Sequence, residues 1–170
     1  TSGVYGHSAI EKSVTEDIIV DPRTSYAIAK RYKEINLKAQ YQEKGLDSVS
    51  LRFFNVYGSK QDNRMVVPRF LEQALNNEAI TVFGSGKQTR DFTYIDDTVY
   101  ASVKLAEQAG AGEIYNIANE NEITLVDAPK KRYDYEVERR YGNSDKLFKT
   151  IGYKPSTELK EGLKKVLNYI

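Results

Sequence analysis

The sequence predicts an α/β protein built on a parallel sheet, and three stretches carry that prediction. Thr1 to Gly6 reads as the end of a buried strand running into a loop. A helix of about five turns follows Arg23-Thr24-Ser25 and stops at Gly45, since glycine accepts the left-handed conformation that closes a helix. Ser48 to Phe54 alternates poorly but is rich in valine, leucine and phenylalanine, as a strand covered on both faces would be. Strand, helix and strand at this spacing make a parallel βαβ unit.

The remaining elements follow in order. Pro68 opens a second helix, Arg69 to Asn76, where proline's missing N–H costs nothing in the first turn. Ala79 to Phe83 reads as a short strand before the turn Gly84-Ser85-Gly86. Residues 96 to 108 form an amphipathic helix, with Asp96 or Asp97 as its N-cap. Glu113 to Ile117 is a further strand and Leu159 to Tyr169 a terminal helix. The sequence carries no internal repeat and no low-complexity linker.

Composition narrows the class of partner. A chain of 170 residues can bury a sizeable core. Its 25 basic and 24 acidic residues give a net charge of +1, so there is no electrostatic case for nucleic acid or an anionic membrane. The absence of cysteine excludes disulfides and thiolate metal sites and suits a reducing, cytoplasmic setting. A single histidine, His7, cannot build a histidine metal site, so no metal is expected. No apolar run approaches the ~20 residues of a membrane span, and no signal peptide is expected at the start.

The chemistry is concentrated in Tyr26-Ala27-Ile28-Ala29-Lys30. Residues four apart stack on one helix face. An ammonium beside a phenol favours the phenolate, and such a tyrosine can take a proton from an alcohol while a nicotinamide takes the hydride. Alone, this spacing also fits an ordinary solvated helix face. Its neighbours give it meaning: Thr1-Ser2-Gly3-Val4-Tyr5-Gly6 upstream, then Leu51-Arg52-Phe53-Phe54-Asn55-Val56-Tyr57-Gly58, then Phe83-Gly84-Ser85-Gly86-Lys87-Gln88-Thr89-Arg90-Asp91-Phe92. In this order and at these separations the motifs resemble the extended short-chain dehydrogenase/reductases. Within them, the chain is similar to the NAD-dependent nucleotide-sugar epimerases and dehydratases of the UDP-glucose 4-epimerase type.

The resemblance implies a Rossmann-type parallel sheet with a smaller C-terminal α/β substrate-binding region. Residues 1–60 would complete the NAD-binding domain, and residues 61–170 would mainly bind a nucleotide sugar, with some strands and helices returning to the first domain. Tyr26 would accept the proton of the sugar 4-hydroxyl, Lys30 would hold the nicotinamide ribose, and Thr1 would hydrogen-bond the same sugar oxygen. A threonine at a strand end is also simple β-branched filler. Phe53 falls where an aromatic lies against the nicotinamide, and it equally suits a core. Asn55 matches the asparagine that hydrogen-bonds the substrate diphosphate, although asparagine also suits a turn. Arg90 matches a phosphate-binding arginine, with Arg132, or Lys131, as a second contact; the charges from Arg132 to Arg140 also read as a solvated face. Asp96 and Asp97 could pass for paired carboxylates, but capping explains them more simply. Relatives dimerise through the Tyr-Lys helix and its neighbour, which implies a homodimer.

Three departures from the family pattern carry weight. No G-x-x-G-x-x-G turn for a pyrophosphate occurs, and the family places it well before Thr1, so the chain resembles the C-terminal part of a longer enzyme. In relatives a helix and further chain intervene where Asp127 here meets Ala128, which implies a missing segment. The 4,6-dehydratases carry an Asp-Glu pair after the threonine, and decarboxylating relatives carry a glutamate there. This sequence has Ser2 and Gly3, neither of which can act as a carboxylate acid or base. Epimerisation, by the tyrosine and reversible hydride transfer, is the remaining reading. Dehydration, decarboxylation, reduction and a non-catalytic nucleotide-sugar-binding fragment are its alternatives.

Overall fold

Parallel strand pairing at the centre of the chain organises the molecule. In the computed structural model, which describes residues 1–9, 13–81, 88–124 and 139–169, strand β1 (Ser50–Phe53) pairs in parallel with β5 (Ile114–Ile117). Strand β2 (Val56–Tyr57) pairs in parallel with β4 (Thr93–Tyr94). Strand β3 (Thr89–Asp91) lies between antiparallel β6 (Glu122–Thr124) and parallel β7 (Arg139–Arg140). The α/β class with a Rossmann-type parallel sheet is therefore as the sequence predicts.

Helix α1 (Ser25–Lys44) begins where Thr24 Oγ1 accepts the Ala27 N–H at 3.1 Å and ends at Gly45, whose φ is 68°. Both boundaries follow from local sequence, since each cap satisfies backbone groups that the helix itself leaves unpaired. Helix α2 (Val66–Leu75) starts earlier than expected, with Met65 rather than Pro68 at its boundary. Pro68 sits third in the helix, still within the first turn, where its lack of an N–H breaks no intrahelical bond.

Helix α3 (Ile95–Gln108) also corrects an expectation: Tyr94 occupies the N-cap, and Asp96 and Asp97 lie inside the first turn. Asp97 instead turns its carboxylate to Tyr153 OH at 2.8 Å and to the Ser156 and Thr157 N–H groups at 3.2 and 2.9 Å. It thereby braces the connection between α4 (Asp145–Ile151) and α5 (Leu159–Leu167).

Two expected strands differ. Ser2–Ala9 forms 3-10 turns interrupted at Gly6, while Thr1 N lies 3.5 Å from Leu51 O beside β1. Residues 79–81 are not in a strand, and 82–87, which include the Gly84-Ser85-Gly86 turn, lie outside the described residues.

Three apolar clusters hold these elements together. Val4, Tyr5 and Val14 pack with Phe54 and Ala118. Ala101 and Leu105 of α3 and Leu147 of α4 close over Tyr115 and Ile117 of β5. Tyr57, Phe92 and Tyr94 gather Val67 of α2 and Val166 of α5 into a third. Burial of these side chains supplies the main stabilisation, about 25 cal/mol for each Å² of apolar surface withdrawn from water. The first two clusters flank the β1–β5 pair and so fix the strand ends at which the site forms.

Candidate active site

A cleft of about 300 Å³ opens between α1, the chain start and β1, lined by Thr1, Tyr26, Lys30, Glu34, Leu51 and Phe53 among others. It brings together four of the side chains singled out by sequence: Thr1, Tyr26, Lys30 and Phe53. Tyr26 is 60% exposed, so its hydroxyl is not sealed in hydrophobic packing. The Lys30 ammonium lies 5.4 Å from the centre of the Tyr26 ring, within cation–π range, so the two side chains share one face of α1. Thr1 Oγ1 accepts the Gly3 N–H at 3.3 Å. Phe53, the last residue of β1, is 38% exposed and offers an aromatic surface to the cleft rather than to the core.

Beneath the cleft runs a polar network that sequence reasoning missed. Arg52, next to Phe53 in β1, has 1% exposure. Its Nε and Nη2 donate to Glu34 Oε1 and Oε2 at 3.0 and 2.9 Å, and Arg31 Nη1 donates to the same carboxylate at 3.0 Å. Arg52 Nη1 donates to Tyr5 OH at 2.8 Å, and that hydroxyl donates to Asn116 Oδ1 at 2.7 Å. Asn116 in turn donates through Nδ2 to Val14 O and Asn143 O at 2.9 and 3.2 Å.

Burial alone would raise the Glu34 carboxyl, but the hydrogen bonds and charge of Arg52, with the bond from Arg31, hold it below its ordinary value. Burial raises the Tyr5 phenol against the opposing pull of Arg52, which keeps it a neutral hydroxyl. One signal was available in the sequence: Glu34 stands eight residues after Tyr26 and four after Lys30, on the same helical stripe.

The other predicted binding residues lie elsewhere. Asn55 takes a left-handed φ of 30°, and its Nδ2 donates to Asp91 O at 2.9 Å, so it braces the turn after β1 against β3. Arg90 belongs to β3, where Nη1 donates to Thr89 O at 2.8 Å. Neither lines the cleft, although Asn55 touches the residue next to Arg90. Arg132 and Lys131 lie outside the described residues, as do Asp127 and Ala128. Among the described residues no group of three or more metal-ligating side chains comes together.

A parallel strand pair whose end borders a helix carrying Tyr26 and Lys30 is the arrangement that the resemblance to NAD-dependent enzymes implies, and comparison with known proteins supports the family. The chain belongs to the NAD dependent epimerase/dehydratase family, whose profile matches residues 1–118. It is similar to the crystal structure of UDP-glucuronic acid 4-epimerase from Bacillus cereus in complex with UDP-glucuronic acid and NAD. The TM-score is 0.90 and the identity 30%, over 99% of this chain and 59% of that one.

The dTDP-D-glucose 4,6-dehydratase of Dictyostelium discoideum is 33% identical over 77% of this chain and 32% of its own length. The UDP-N-acetyl-alpha-D-glucosaminuronate decarboxylase of Bacillus cytotoxicus is 30% identical over 99% of this chain and 61% of its own length. The chain thus spans no more than 61% of any of these three relatives. The last alignment runs over 197 positions against 170 residues here, so that relative carries segments this chain lacks. No helix among the described residues is long and apolar enough to cross a membrane.

Proposed function

We propose that this chain forms the proton-transfer and nucleotide-sugar-binding part of an NAD-dependent nucleotide-sugar epimerase that inverts C4 of a UDP-hexose. The observation that carries the reading is the convergence of Thr1, Tyr26, Lys30 and Phe53 on one open cleft. This donor set fits the nicotinamide end of NAD: an exposed phenol beside the ammonium of a half-buried lysine on one helix face, with an aromatic surface lining the same cleft. When bound, NAD supplies a reversible hydride acceptor.

The chain's own residues do the rest. Tyr26 accepts the proton of the sugar 4-hydroxyl and returns it to the opposite configuration, as a general base and then a general acid. Lys30 holds the ribose hydroxyls and sets a positive charge beside the phenol. Thr1 donates a hydrogen bond to the sugar oxygen as charge develops on it. Phe53 packs against the nicotinamide ring. Arg90 and Arg132 bind the diphosphate, where a guanidinium can grip phosphate oxygens in pairs. Asn55 serves the same subsite by holding the β1–β2 turn, through the bond to Asp91 O.

Epimerisation is favoured over dehydration or decarboxylation because those reactions need a carboxyl group able to exchange a proton. Ser2 and Gly3 cannot supply one. Glu34, the only carboxylate lining the cleft among the described residues, is committed to Arg52 and Arg31 and held low. A homodimer is part of the same reading. Ile28, Tyr32 and Ile35 of α1 are each more than half exposed, as are Val99 and Val103 of α3.

Tyr26→Phe should abolish turnover of a UDP-hexose while leaving nucleotide affinity nearly unchanged, as measured by product analysis and by titration with UDP. Equal turnover in both proteins removes Tyr26 as the base. Product analysis across UDP-, GDP-, CDP- and dTDP-sugars separates a C4 epimer from a 4-keto-6-deoxy sugar or a decarboxylated one.

A further inference from the structure

Thr1, Tyr26 with Lys30, and Phe53 come from three separate elements, and a single buried guanidinium ties those elements together. Arg52 precedes Phe53 in β1, holds both carboxylate oxygens of Glu34 on α1, and donates to Tyr5 OH in the segment that begins at Thr1. Glu34 shares the stripe of Tyr26 and Lys30, so fixing its carboxylate fixes the rotation of α1 about its own axis. The two-pronged Arg–carboxylate contact is planar and directional, and a lysine at that position would be a point charge reaching one oxygen. Buried ion pairs of this kind add little stability over apolar packing, so stability alone does not account for one placed under the cleft.

We infer that Arg52 and Glu34 are positioning residues: they set the mutual placement of Thr1, Tyr26, Lys30 and Phe53 without touching the reacting groups. The inference rests on the reading of the cleft as the site of proton and hydride transfer. Misplacement by ~1 Å can cost about 100-fold in rate, so loss of this registration should appear in kcat rather than in substrate affinity.

The test uses the NAD-loaded enzyme and compares Arg52→Lys and Glu34→Gln with Asp97→Asn, which disturbs a buried hydrogen-bonded carboxylate outside the cleft. Arg52→Lys and Glu34→Gln should each lower kcat about tenfold or more, with KM for the nucleotide sugar changing less than about threefold. The double variant should fall no further than the lower single one, because the two residues act as one unit. Asp97→Asn should leave kcat unchanged at a comparable loss of melting temperature. An equal fall in kcat for Arg52→Lys and Asp97→Asn overturns the inference, as does a loss confined to KM.

If the wild-type holoenzyme turns over no nucleotide sugar, the proposed function fails, and hydrogen exchange then decides the positioning role by itself. Faster exchange at residues 1–5 and 26–34 together in Arg52→Lys, absent in Asp97→Asn, supports registration through Arg52. Unchanged exchange at either segment overturns it.

Discussion

Asp91 has no exposed surface, and its carboxylate accepts the N–H groups of Asn119, Glu120 and Gly142 at 3.1, 3.1 and 3.3 Å. Burial pushes this carboxyl from an ordinary 3.8 up to about 7; the three donors oppose the shift, and the charge of Glu120 adds to it. The folded protein therefore holds the proton more tightly than the unfolded chain does. Asp91 contributes stability that is fully present below the unfolded value of 3.8 and is lost as the pH rises through about 7. The effect is on the order of a few kcal/mol.

Denaturation midpoints measured from pH 4 to pH 8 should carry this declining component in the wild type and lack it in Asp91→Asn. Parallel profiles would mean that Asp91 does not titrate in that range. In the sequence Asp91 is merely the residue after Arg90, because its donors lie 28 to 51 positions away. Asn55 presents the reverse case: its motif match points to substrate, while the turn geometry gives its amide a backbone partner.

At the scale of elements, α1 was the most legible because its signals are local. Thr24 caps it, Gly45 ends it, and its two stripes separate by periodicity alone. Tyr26, Lys30 and Glu34 face the cleft, and Ile28, Tyr32 and Ile35, about half a turn away, face outward. Strands β3, β4 and β7 carried no such signal. They run only two or three residues and owe their conformation to pairing with distant partners.

Helix α5 depends on a close approach that periodicity cannot reveal. A Cβ on Gly162 would lie 2.0 Å from Tyr57 OH, a buried hydroxyl without a hydrogen-bond partner among the described residues. Gly162→Ala must displace that phenol or the helix, and should cost about 1–3 kcal/mol, read from the urea midpoint. An unchanged midpoint would show that α5 does not need this contact.

For the whole molecule, the outward stripe of α1 and the exposed Val99 and Val103 of α3 are the surfaces on which the proposed homodimer depends. Ile35→Asp should shift sedimentation from dimer to monomer while leaving the cleft intact, since Ile35 is not among its lining residues. A monomeric wild type removes the dimer from the reading. Within a parallel sheet the cleft forms only when the end of β1, the start of the chain and α1 converge, which is a property of the assembled fold. By itself the sequence determined the α/β class, α1, β1 and β5, and the Tyr26–Lys30 pair, because caps, periodicity and four-residue spacing act over a single turn or strand. Only the tertiary structure decided that Arg52 is buried against Glu34, that Asp97 braces the α4–α5 connection, and that Asn55 holds β3. Each of those outcomes was set by which distant groups folding brought within hydrogen-bond reach.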